Sequence, residues 1–94
     1  KLLGIDPGTR NLGFCILDFT SKKFQLVEAG VIKFKNSDLK DTIMELSIAL
    51  DTIFSSHVIN EVAIENIFFA HNPQSVLKLA QFRGALCLKV LLSV

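Results

Sequence analysis

No excess of either charge marks this chain of 94 residues: ten Lys and Arg stand against nine Asp and Glu, a formal charge of +1. That balance excludes a strongly basic nucleic-acid tail, although not a local basic face. Cysteine is scarce. Cys15 and Cys87 sit in apolar surroundings without metal-ligand spacing, which favours buried, reduced thiols and an intracellular setting over a disulfide framework or a zinc site. No apolar run is long and uninterrupted enough to span a bilayer, and no basic segment with a small-residue cleavage site precedes the first one, so a soluble, cytoplasmic protein is expected. Repeats, linkers and low-complexity tracts are absent as well. No methionine opens the chain, and "FRGALCLKVLLSV" runs apolar to the last residue without a polar stop. Residues 1–94 are therefore expected to be a single small domain, truncated at its carboxyl end.

What is present is a hydrophobic half arranged in two periods. Lys1 to Asp6 reads as a buried strand, "DPGTRN" as a turn with Pro7 and Gly8 at the centre of a type II geometry, and Leu12 to Asp18 as a second strand. A polar "TSKK" turn leads into "FQLVEAGVIKF", so three strands in an antiparallel meander are predicted. Cys15 is taken as a core position. The period then changes: Leu39, Ile43, Leu46, Leu50 and Ile53 recur at helical spacing, with Ser37 as the cap and Asp38 and Asp41 near the positive end of the dipole. His57 suits the other end of that dipole. "EVAIE" follows as a short apolar strand, expected to be central, parallel to the first and to end at Glu65. Asn72 and Pro73 read as cap and first position of a second helix carrying Val76, Leu77, Leu79 and Ala80.

This α/β order brings two acids together. A right-handed connection sets the post-helix strand beside the first, so Asp6 and Glu65 end parallel neighbours at the carboxyl edge of the sheet, where ligands of open α/β sheets bind. Two carboxylates at strand spacing repel each other and invite a cation. Oxygen donors of this kind suit hard divalent ions, magnesium above all. Asp6 also has a plain structural reading, fixing the turn before Pro7 and Gly8, and Glu65 that of a charge at a strand end.

Three blocks in this order, "GIDPGTRNLGF", "AIEN" followed by "IFFAHN", and "SVLKLAQFRGAL", resemble the RuvC family of Holliday-junction endonucleases, whose fold is ribonuclease H-like. The resemblance covers nearly the whole chain. It implies a homodimer that resolves four-way DNA junctions in recombination and repair by paired phosphodiester cleavage with Mg2+ or Mn2+. It also implies the branch-migration proteins RuvA and RuvB as partners. By motif, Asp6 and Glu65 resemble the family's first catalytic aspartate and its catalytic glutamate, both holding metal, and Phe68 the aromatic that stacks on a base near the cut. Two further acids of the family lie downstream of the residues present. A lysine commonly occupies the position of His71, and a glutamate-glutamine pair appears here as Glu65 and Asn66.

For the remaining residues, functional and plain readings stand side by side. Phe68 and Phe69 are consecutive, so one would point inward and the other would be available for stacking. Arg10 at the hairpin tip would hold a phosphate or simply be solvated. Asn72 would cap its helix, at a helix start that also suits a phosphate. His71 would meet a phosphate in its charged form. Lys78 and Arg83 would line a basic face, Arg83 being read as merely solvated. Asp18 ends its strand at the far edge and is left out of the site. Rival functions are a non-cleaving binder of branched DNA, a related ribonuclease H-like nuclease of ribosomal RNA precursors, and an actin-like ATP-binding domain, which would need a second glycine-rich turn that the chain lacks.

Overall fold

The computed structural model describes residues 1–66 and 73–94. Four strands and two helices follow one another: β1 (Leu2–Asp6), β2 (Asn11–Thr20), β3 (Lys23–Lys33), α1 (Leu39–Ser56), β4 (Glu61–Ile64) and α2 (Pro73–Ser93). The sheet order is β3-β2-β1-β4, antiparallel across the meander and parallel between β1 and β4. The meander and the parallel return strand thus stand as the sequence indicates. Among the described residues β4 pairs with β1 alone.

Alternation along the strands sorts the side chains between two faces. Leu3 and Ile5 of β1, with Leu12 and Ile16 of β2, are buried against Leu46, Leu50 and Ile53 of α1 and Phe82, Leu86 and Val90 of α2. Both helices therefore cover one face, and Lys89 ties them together through an ion pair to Asp51 at 2.6 Å. Strict period two corrects the reading of Cys15: if Leu12, Phe14 and Ile16 face the helices, Cys15 must face the other way, opposite Gly4, and it is only half-buried. That second face carries Leu17 and the exposed Phe19, Phe24, Leu26 and Val31. Cys87, beside buried Leu86, is half-buried too.

The turns depart from expectation in detail. A type II turn requires a positive φ at its third residue, and no glycine among the described residues has one. Gly8 is instead demanded by close approach, since a Cβ there would lie 2.3 Å from the carbonyl oxygen of Asn11. At the β2–β3 turn, Ser21 and Lys22 both have positive φ, 51° and 63°, between the paired Thr20 and Lys23. This is the two-residue hairpin geometry whose twist matches the strands. The ladder slips between Ile16 and Leu17, where Ile16 pairs with Glu28 and Leu17 with Leu26. β2 and β3 also outrun β1, whose pairing reaches only to Leu17.

The N-cap of α1 is Asp38, one residue later than the Ser37 read from the sequence, and its side chain makes no capping bond. Buried Thr42 ties the entry down instead: its hydroxyl donates to the carbonyls of Asn36 and Asp38 at 2.9 and 2.8 Å. Glu45 adds to this by accepting from the Lys35 amide and the Asn36 side chain. At the other end His57 does more than meet a dipole, because its Nε2 lies 2.9 Å from Glu28 Oε2 and links α1 to β3. α2 begins at Pro73 as expected. Its Leu77 is exposed, the buried stripe passing through Phe82, Leu86 and Val90. Phe82 meets Phe34 edge-on at 5.5 Å. No helix among the described residues is long and apolar enough to cross a membrane.

Candidate functional site

Asp6 is the last residue of β1, and Glu65 is the first beyond β4. The parallel register pairs Gly4 with Ala63 and Ile5 with Ile64. One further rung follows, in which the Glu65 amide donates to the Ile5 carbonyl at 2.9 Å. By alternation both acidic side chains leave on the face away from the helices. Asp6 holds the Glu65 carboxyl above its ordinary range, chiefly through hydrogen bonding to it, then through its charge, with a smaller contribution from burial. A carboxylate raised chiefly by another carboxylate is the signature of two like charges at one place.

An open recess of about 510 Å³ surrounds the pair. Gly4, Gly13, Cys15 and Ala63 form much of its floor. Their small side chains leave both carboxylates reachable from outside. Both donors are carboxylate oxygens, so the pair fits a hard divalent cation. Among the described residues no group of three or more His, Cys, Asp and Glu converges for metal binding; the acids here are a pair.

The cations sort differently. Arg10 and Lys78 come together with Lys33 and Lys35 around a second recess of about 420 Å³. It lies on the same rim of the sheet as Asp6, because Arg10 belongs to the turn that leaves β1. Lys78 donates to the Ser37 carbonyl at 2.5 Å, which fixes α2 against the start of α1. Lys33 and Lys35 were not marked by the sequence reading, since a lysine at a strand end carries no local signal. Arg83, read as solvated, proves engaged: Nε donates to the Glu65 carbonyl at 3.1 Å and Nη2 to Asn66 Oδ1 at 3.4 Å. Phe68, Phe69, His71 and Asn72 lie outside the described residues. Asp18 stands at the other end of the sheet, near Lys1 and Glu61, as expected.

A mixed sheet with helices on one face and an acidic pair across its parallel strand ends is the arrangement of an α/β protein built to bind at that edge. Comparison with known proteins narrows this. The profile of the family "Crossover junction endodeoxyribonuclease RuvC" matches residues 2–93, and the chain belongs to that family. It is 64% identical over 91 residues to the crossover junction endodeoxyribonuclease RuvC of Sulfurovum sp. (strain NBC37-1), covering 97% of this chain and 57% of that protein. Against the RuvC of Campylobacter hominis the identity is 56%, covering 97% and 58%. The chain thus spans a little under three fifths of the length of these relatives. In solved structures the same fold is found in Thermus thermophilus RuvC in complex with Holliday junction substrate, with a TM-score of 0.84 at 20% identity over 98% of this chain and 60% of that one. A second structure of Thermus thermophilus RuvC gives a TM-score of 0.81 at 22% identity, covering 98% and 58%.

Proposed function

We propose that the protein to which this chain belongs is a metal-dependent endonuclease that resolves four-way DNA junctions, and that residues 1–94 form part of a single ribonuclease H-like nuclease domain. The observation that carries this reading is the placing of Asp6 and Glu65 at the ends of neighbouring parallel strands, tied by the bond from the Glu65 amide to the Ile5 carbonyl, where Asp6 raises the Glu65 carboxyl above its ordinary range. Mg2+, or Mn2+ in its place, is the ion whose ligand preferences these two carboxylates meet. When bound, such an ion supplies Lewis-acid polarisation at phosphorus and a more acidic water. Asp6 and Glu65 hold and orient it; the small floor of Gly4, Gly13 and Ala63 lets a nucleic-acid backbone come close.

The recess of Arg10, Lys33, Lys35 and Lys78 would take backbone phosphates on the same rim, contacts that position DNA without reading its sequence. Phe68, by its resemblance to the family motif, would serve as a stacking platform, and His71 in its charged form and Asn72 at a helix start would each meet a phosphate. Homodimerisation, a cytoplasmic location and partnership with RuvA and RuvB belong to the same proposal. A non-cleaving binder of branched DNA is the second reading.

One experiment separates the two. In the protein extended to the length of its relatives, Asp6→Asn and Glu65→Gln are expected to lower Mg2+-dependent nicking of a synthetic four-way junction by about two to three orders of magnitude, the loss typical of removing a group that stabilises transition-state charge. Binding of the junction in EDTA should persist. Nicking at the unaltered rate in either variant would overturn the assignment.

A further inference from the structure

Glu65 lies just beyond the last residue of β4 and is exposed, so the ladder aligns its backbone with β1 but does not by itself hold the peptide that follows. Its backbone is held from both sides. The amide is fixed to β1 through the Ile5 carbonyl, and its carbonyl accepts from Arg83 Nε on the third turn of α2. The same guanidinium reaches the next residue through Nη2 and Asn66 Oδ1, and with Nη1 meets Cys87 Sγ at 3.8 Å.

We propose that Arg83 is a positioning residue for the acidic pair, locking the Glu65–Asn66 peptide so that the Glu65 carboxylate is presented with Asp6 to a divalent cation. The proposal rests on the metal-site reading above and deepens it. Arg83 is well placed for this because its helix is immobilised beside it: Phe82 and Leu86 are fully buried, and Phe82 packs edge-on against Phe34. The planar fork of guanidinium donors serves three acceptors at once, two of them on consecutive residues at the strand end. A lysine ammonium keeps the charge but loses that geometry. Partners one step behind a metal ligand typically govern its affinity by 10- to 100-fold.

The test compares Arg83→Lys, Arg83→Met and Glu65→Gln in the protein extended to the length of its relatives. The probe is Mn2+ binding followed by electron paramagnetic resonance, alongside the melting temperature in EDTA and kcat and KM for a four-way junction. Both Arg83 variants are expected to bind Mn2+ about 10-fold or more weakly, with lower kcat, an unchanged KM and an unchanged melting temperature. Arg83→Lys binding Mn2+ as tightly as the unaltered protein would overturn the proposal. So would a fall in melting temperature in both variants that accounts for their loss, since the role would then be structural. If Glu65→Gln itself leaves Mn2+ binding intact, it is the metal-site reading that fails.

Discussion

The Glu65 amide donates to the carbonyl of Ile5, the residue before Asp6, so the two acids of the candidate site are set side by side by a single rung of parallel ladder. Neither can move away without breaking that rung or turning its side chain. The repulsion between them is consequently built into the sheet.

Stability should therefore respond to pH with a defined sign. The folded state holds the Glu65 proton more tightly than the unfolded chain does, so the native state binds more protons in the interval between the ordinary glutamate value and the raised one. In that interval, stability falls as pH rises. Urea titrations in EDTA are expected to show this fall, and Glu65→Gln to remove it. Added Mg2+ should abolish or invert this fall within the interval, because a cation favours the charged form and so lowers the folded-state value.

The β2–β3 turn should be improvable. Ser21 and Lys22 hold left-handed backbone without being glycine, at a cost of roughly 1–2 kcal/mol per residue. The double change Ser21→Asn and Lys22→Gly supplies the residues this turn prefers. It is expected to raise stability by about 1 kcal/mol, part of the gain being offset by glycine's freedom in the unfolded chain. A higher urea midpoint at unchanged slope would register it.

Gly8→Ala should act in the opposite direction. The added methyl would meet the Asn11 carbonyl oxygen at 2.3 Å, a backbone atom that cannot swing aside. A loss of about 1–3 kcal/mol is expected, as for other forced close contacts. Because the displaced turn leaves β1 directly after Asp6, junction nicking should fall as well.

On α2, Phe82→Ala removes a fully buried ring and should cost about 3–5 kcal/mol. Leu88→Ala, on the exposed side of the same helix, should stay within about 0.5 kcal/mol. Thermal or urea unfolding of the two variants distinguishes the covered stripe from the open one.

Much of the fold was legible because its signals are local. The apolar runs into Asp6 and Glu65, and the helical spacing from Leu39 to Ile53, state period and element type directly. The parallel placing of β4 then followed from connection rules, and with it the meeting of the acids. What escaped was set by atoms far apart in sequence. The placement of Cys15 erred because β2 has apolar residues on both faces, and only its pairing with β1 decides which side is covered. Gly8 looked like a φ requirement and is a contact requirement. Ser37 and Asp38 are both good caps, and the Thr42 hydroxyl, four residues into the helix, determines where the chain enters. The role of Arg83 at the strand end carried no local signal, since the two acceptors there lie 17 and 18 residues earlier.

The overhang of the β2–β3 hairpin beyond β1 has a practical use. Its tip at Ser21 and Lys22 belongs to the opposite end of the sheet from Asp6, with the four steps of β1 alone separating the two ends by about 13 Å. A fluorophore or surface tether attached there would report on the binding of the proposed DNA substrate while leaving the acidic pair free.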